Sequence, residues 1–407
     1  MSIKLVRISI EKLFRQFDYT IDLNQKDGIT ILTGPNGYGK TTILNIVYNL
    51  FTEQQERFSY FSKLPFVSIT ASFSDDWSMK IIQGAQANIM PFDPIRDNSR
   101  IEIELCSSGK NAGAFICDQY ANPIDILPDS TDIQFKKMLN SHPIYFIKAQ
   151  RLIQSIIPKR DGTFKHDGSI KADGKPVTIE TIKVYARDLC NRISEIQVEE
   201  QKLAQSLDAS KTKRFKDYKS ALPKNEYQER FQKVLYKYKQ LQMYDIREDN
   251  LETTEYEGDE QRFFSLDLED WEKRIAVYDD LLSKLNLFIE LLNKKELTNK
   301  KIGINGKEGF YFVTADYAHQ LKLTDLSSGE QNEIIMLYDL LFKAAPGTLV
   351  LIDEPETSMH VAWQLEFVND LQRIAILNPL SFLIATHSPD LINDKESIDL
   401  WSLAHGE

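Results

Sequence analysis

The spacing of apolar positions changes character along the chain. Up to about residue 150, short runs that alternate apolar and polar positions or are rich in β-branched residues predict strands at 3–10, 19–23, 29–33, 67–73, 77–82 and 101–105. One helix interrupts them, because Ile43, Leu44, Val47, Leu50 and Phe51 recur at the spacing of a stripe packed on a sheet. Glycines at 162, 168 and 174 mark 158–176 as a mobile connector. From about 178 to 297 the sequence is long, charged and helix-forming, with breaks predicted near 209–224 and 249–260. Arms of about 25 to 30 residues at about 1.5 Å per residue would project about 40 Å, too short for a DNA-encircling coil. Strand character returns at 302–314, where Asn305-Gly306 predicts a hairpin turn. Helices then alternate with strands at 348–352 and 382–386, the pattern of a parallel α/β unit.

Composition narrows the class. The 407 residues carry a net charge of −11, which opposes indiscriminate coating of nucleic acid or anionic membrane. Three cysteines without a C-x-x-C pair support neither a disulfide framework nor a zinc knuckle, and fit a reducing, cytoplasmic setting. The first ten residues alternate like a strand and lack the apolar core of a signal peptide. No run reaches the roughly 18 apolar residues of a membrane span, so no membrane partner is expected.

Gly34-Pro35-Asn36-Gly37-Tyr38-Gly39-Lys40-Thr41 fits G-x-x-x-x-G-K-[ST] between an apolar strand and a helix. Its glycines let the backbone curl so that successive N–H groups face phosphate oxygens at a helix N-terminus. Lys40 would reach the β- and γ-phosphates of ATP, Thr41 would bind Mg²⁺, and Thr42 would assist in the phosphate shell. The apolar strand ending in Asp353-Glu354 supplies two carboxylates. Asp353 would hold Mg²⁺ through water, and Glu354 would orient and deprotonate the attacking water. Leu326-Ser327-Ser328-Gly329-Glu330-Gln331 opens a further helix with residues suited to an anion-binding N-terminus.

Together with His387 at a strand end, these motifs stand in the order of an ABC-type ATPase, which the chain resembles at both ends but not across its helical middle. The resemblance implies an α/β P-loop head, a mixed sheet with an antiparallel N-terminal part, split by a short helical insertion. It also implies head-to-tail homodimers in which Ser327, Ser328 and Gly329 of one copy meet the γ-phosphate held by the other, with a higher homo-oligomer expected. His387 would be the switch histidine. Gln150, in Ile-Lys-Ala-Gln-Arg, is similar to the glutamine linking metal and attacking water to the helical region. The loop 355–360 would lie at the dimer contact, and Arg15 is a candidate adenine contact. The division expected is 1–155 and 301–407 for two ATPase lobes, with 156–300 as connector and insertion.

Glu330 where transporters carry Gln, the long insertion and the lack of a membrane segment turn the resemblance from transporters toward the soluble branch of SMC-like, RecF and OLD ATPases. Only 20 residues follow His387, too few for the TOPRIM nuclease domain of OLD nucleases, so any nuclease output would come from a partner subunit. In these respects the chain is similar to the AriA ATPases of PARIS anti-phage systems, where the ATPase serves as sensor and scaffold for a TOPRIM nuclease. A DNA-repair ATPase of SMC or RecF type, acting directly on DNA, is the alternative.

The charge is segregated. Residues 201–240 carry 11 basic and four acidic side chains, a balance of +7, whereas 245–280 stand at −10. Two readings stay open: a basic hairpin receiving DNA or a DNA-mimicking protein, with Tyr218, Phe231, Tyr236 and Tyr238 for stacking, or a solvated helix face paired with the acidic stretch.

Overall fold

A computed structural model describes residues 4–52, 54–83, 101–107, 110–117, 143–156, 177–248, 251, 256, 260–295, 297, 299–357, 359–391 and 399–403. The connector 158–176, most of the break at 249–260, and Ser358 lie outside them. Two compact units emerge: 1–150 with 342–407, and 151–341. Residues 301–341 therefore group with the helices, not with the second ATPase lobe expected for 301–407.

The first unit begins with β1 (Leu5–Leu13) and β2 (Phe17–Asp22), an antiparallel pair whose alternation buries Ile8, Ile10, Leu13, Tyr19 and Ile21. A tight turn joins them, with Phe14 and Arg15 at positive φ, as is Lys12 near the end of β1. Next come β3 (Ile29–Thr33), α1 (Lys40–Leu50) and α2 (Gln54–Phe61). They are followed by β4 (Ser68–Phe73), β5 (Trp77–Gln83), β6 (Ile101–Ser107) and β7 (Lys110–Cys117), which extend the antiparallel sheet in the order β2-β1-β4-β5-β6-β7. Strand β8 (Ile144–Ile147) belongs to a second sheet.

The second unit holds the paired strands β9 (Ile153–Ile156) and β10 (Val177–Glu180), then α3 (Thr181–Asp217), α4 (Lys224–Met243), α5 (Gln261–Ala276) and α6 (Asp279–Lys294). At 37 residues α3 is about 55 Å long, so the arm exceeds the expected 40 Å. Strands β11 (Lys300–Asn305), β12 (Gly309–Thr314) and β13 (Gln320–Leu321) form a small sheet. Its first turn is the predicted hairpin, where the Asn305 carboxamide oxygen accepts from the main-chain amides of Lys307 and Glu308. The hairpin approaches α3 so closely that a Cβ on Gly309 (φ 77°) would lie 1.9 Å from the Ala186 carbonyl oxygen. Helix α7 (Ser328–Tyr338), apolar around its C-terminal turns, continues into a π-helical turn at Asp339–Lys343.

The chain then returns to the first unit with β14 (Leu349–Asp353), α8 (Val361–Leu377), β15 (Ser381–Ala385) and β16 (Asp399–Ser402). These strands complete an all-parallel sheet, β16-β3-β15-β14-β8, whose central members are buried nearly end to end. A single core joins the two sheets of this unit through α1: Ile43, Leu44 and Val47 share it with Ile8 and Ile69 of one sheet and Leu351 and Leu383 of the other. The result is an α/β fold in which antiparallel and parallel strands form separate sheets, in place of the single mixed sheet expected. No helix among the described residues is long and apolar enough to cross a membrane.

Candidate functional site

Parallel strands place their C-terminal ends along one edge, and ligands bind there in open α/β sheets. Register puts Ile352 beside Ile384 and Ile384 beside Ile31, so the segments leaving β3, β14 and β15 start level. They are the glycine-rich loop, Asp353-Glu354 and His387.

Gly37 (φ 90°) and Gly39 (φ 84°) adopt left-handed backbone, which allows the loop to curl before α1. A Cβ on Gly39 would press on Leu13 Cδ2 at 3.2 Å and Phe14 Cε2 at 3.4 Å, so the turn carrying Arg15 packs against the loop. The Tyr19 hydroxyl donates to the Tyr38 carbonyl at 2.9 Å, and the Phe17 ring lies against Tyr38, fixing the loop from below. Pro35, Asn36 and Gly37 remain exposed at its crest. Lys40 is buried, its Nζ donating to the carbonyls of Gly34 (2.6 Å) and Pro35 (3.1 Å). Phosphate oxygens would offer this ammonium stronger, charged acceptors.

The Thr41 hydroxyl donates to Asp353 Oδ1 at 2.9 Å. Burial pushes the Asp353 carboxyl above its usual range, partly offset by the Thr41 bond. A hydroxyl and a desolvated carboxylate side by side form a hard oxygen donor set that fits Mg²⁺. Thr42 is half-buried in the first turn of α1, and its carbonyl accepts from Tyr60.

Glu354 sits at φ 44°, a left-handed conformation costing a residue with a Cβ about 1–3 kcal/mol, and its amide donates to Ala385 O at 2.9 Å. His387 is half-exposed, with Nδ1 3.9 Å from Glu354 Oε1 and 3.1 Å from Glu356 Oε1. Glu356 is a residue that sequence reasoning assigned only to a loop. It is buried, and the Thr386 hydroxyl (2.8 Å) and the His387 amide (2.9 Å) both donate to its Oε1. The sole signal was its place in Asp-Glu-Pro-Glu. Gln150 lies exposed, three residues past the end of β8, at the same edge of the sheet.

This constellation has a counterpart among known sequences. Residues 1–392 match the family described as AAA ATPase domain, AAA_15. The chain belongs to this family. No curated protein shows a sequence match to the ATPase. Among solved structures it is similar to an SmcHead bound to the C-winged helix domain of ScpA, at 11% identity over 96% of this chain and 91% of that one, with a TM-score of 0.38. It is also similar to the Smc head with extended coiled coil from Pyrococcus furiosus, bound to the C-terminal domain of ScpA (12%, 96% and 91%, TM-score 0.36). A third is the SMC head domain from Thermotoga maritima (12%, 98% and 94%, TM-score 0.37).

In the other unit of the ATPase, Ser327 caps α7 and leaves Ser328 and Gly329 at the open N-terminal turn, with both serines exposed. Glu330 is buried and paired with Lys300 at 2.7 Å. The helix is anchored below by Tyr338, which stacks on Tyr185 at 4.8 Å and donates to Asp188 Oδ2 at 2.6 Å.

Four of the 11 cations of the stretch 201–240 pair with the acidic stretch within this unit. Lys211 pairs with Asp267, Arg214 with Asp270, Arg230 with Glu272 and Lys237 with Asp279. Of the aromatics, Tyr218 donates to Glu269, Phe231 stacks on Tyr227, and Tyr238 is buried edge-on to Trp271; only Tyr236 of the four is exposed. The paired-face reading describes these four positions, while Lys202, Lys213, Lys216, Lys219 and Lys239 stay on the exposed surface.

Proposed function

We propose that the chain is a Mg²⁺-dependent ATPase working as a slow, nucleotide-dependent switch for a partner effector. The observation that carries the catalytic reading is the convergence of Lys40, Thr41, Asp353, Glu354 and His387 on one sheet edge, with Thr41 bonded to Asp353. Lys40 and the loop amides bind the β- and γ-phosphates, and Thr41 and Asp353 hold Mg²⁺, which supplies neutralising charge there. Glu354 orients water and takes its proton, His387 meets the γ-phosphate, and Gln150 completes the edge. Ser327, Ser328 and Gly329 serve the site of a second copy in a head-to-tail dimer, with a higher homo-oligomer beyond it.

The resemblance to PARIS-type ATPases points to a TOPRIM nuclease as the effector and to anti-phage defence in the cytoplasm as the setting. Neutralisation of Lys211, Arg214, Arg230 and Lys237 by acidic partners supports scaffold and sensor over direct action on DNA. Measured hydrolysis and light scattering test the reading. Lys40→Ala should lose ATP binding. Glu354→Gln should bind ATP, lose hydrolysis by about 10²–10⁴-fold and accumulate a dimer; normal turnover in Glu354→Gln would remove the carboxylate from its role. Salt-dependent duplex binding at physiological ionic strength would favour the DNA-repair alternative.

A further inference from the structure

The site contains a buried carboxylate that the catalytic reading does not use. Glu356 is 7% exposed, two residues beyond Glu354 and across from the end of β15. Its Oε1 accepts from the Thr386 hydroxyl at 2.8 Å and the His387 amide at 2.9 Å, and lies 3.1 Å from the His387 Nδ1. Its Oε2 is buried with no hydrogen-bond partner among the described residues. Among those residues, His387 is the one potential cation within ion-pair distance of this carboxylate.

Glu356 Oε1 offers Nδ1 an acceptor at 3.1 Å, so a ring hydrogen on that nitrogen is matched, whereas a bare Nδ1 would meet a second lone pair. That choice fixes the imidazole. With Nδ1 turned toward Glu356, Nε2 is the ring nitrogen left to face a phosphate oxygen from the half-exposed side chain. The main-chain bond from His387 N to the same oxygen ties the backbone to the anchor, so ring and backbone are oriented together. Thr386 is tied in as well: its Oγ1 donates to Glu356 and accepts from the Ser388 amide at 3.0 Å, while Ser388 Oγ donates to Gln364 Oε1 at 2.7 Å. Glu354 Oε1, at 3.9 Å, faces the same nitrogen from too far to form the bond.

We propose that Glu356 is the positioning residue of the switch histidine: its buried carboxylate holds the His387 ring and backbone and selects the Nδ1–H form, so that Nε2 faces the nucleotide. This rests on the ATPase reading of His387 for its consequence, but not for its geometry.

Ring ¹⁵N spectra of histidine-labelled full-length protein, with the His387 signals assigned by His387→Ala, test it directly. In spectra recorded with the ring neutral and without nucleotide, the wild type should show Nδ1–H and a bare Nε2. Glu356→Ala should shift His387 toward Nε2–H and lower kcat on the order of tenfold with little change in KM for ATP. Glu356→Asp, which withdraws the acceptor by one methylene, should do the same, and Glu356→Gln, which keeps Oε1 in place, should preserve the Nδ1–H form and recover part of kcat. A wild-type Nδ1–H population in Glu356→Ala, or in Glu356→Asp should the alanine variant not fold, would overturn the proposal. Full hydrolysis by His387→Ala would instead overturn the catalytic reading while leaving the tautomer result standing.

Discussion

Ser327 and Glu330 satisfy each other's main chain: the Ser327 amide donates to Glu330 Oε2 at 2.7 Å, and the Glu330 amide donates to Ser327 Oγ at 3.3 Å. This capping box makes Glu330 a structural clasp on α7, braced by Lys300. Burial pushes its carboxyl up, but the Lys300 ammonium and the Ser327 donors outweigh that and hold it below its ordinary value of 4.5. A depressed carboxyl stabilises the fold above the unfolded-state value, and that contribution is lost as pH falls through the folded-state value. Glu330→Gln should therefore be less stable than wild type by about 2 kcal/mol at neutral pH, with the difference shrinking below about pH 4.5. Thermal unfolding from pH 7 to pH 3 measures it, and a pH-independent difference would rule out the ionised clasp.

Asp353 carries the opposite sign. Its folded-state carboxyl lies above the usual 3.8 because burial dominates, so its contribution to stability falls as pH rises through that range and the charge is a liability at neutral pH. Without nucleotide or metal, Asp353→Asn should stabilise the protein by about 1 kcal/mol. It should also abolish hydrolysis and the rise in Tm that Mg²⁺ with nucleotide gives the wild type. A destabilised Asp353→Asn would show that the Thr41 bond, not the buried charge, governs this position.

Arg214 reaches both oxygens of the buried Asp270, at 2.6 and 2.7 Å. Arg214→Ala leaves that carboxylate without its partner and should lower unfolding stability by about 3 kcal/mol. Lys213→Glu, on the exposed side of the same helix, should stay within about 0.5 kcal/mol of wild type. Urea denaturation separates the two, and equal effects would contradict the pairing of α3 with α5.

Gly309→Ala would drive a methyl group into the Ala186 carbonyl and force a non-glycine residue to φ 77°. A loss of about 3 kcal/mol or more is expected, read as a lower denaturation midpoint. Gly37→Ala meets no atom within 4 Å and should show the backbone penalty alone, about 1 kcal/mol.

The sequence made the nucleotide edge legible because its motifs are local. The strand at 29–33, the loop and the first helix sit where spacing placed them, since glycine geometry and apolar periodicity act over a few residues. The parallel unit followed from alternation of helix and strand. Less legible was the reach of α3, which runs through Asp217 although a break was expected from about residue 209. The polar residues there suggested a loop, but Lys211 and Arg214 find carboxylates more than 50 residues later, and such distant pairing overrides local propensity. The short helix α2 and the four-residue β8 gave too few positions for a period to register. Glu356 escaped because nothing in its neighbours along the chain shows that pairing of β14 with β15 buries it against the segment bearing His387.

The order of the parallel sheet also sets a timetable for synthesis. Strand β3, which delivers the glycine-rich loop, has β15 and β16 as its two neighbours, and both are made roughly 350 residues later. At about 5–20 residues per second, the ribosome releases β3 on the order of 20 to 70 s before either partner strand exists. A nascent chain carrying the complete glycine-rich loop thus lacks the parallel sheet that orients it until β15 and β16 have been made.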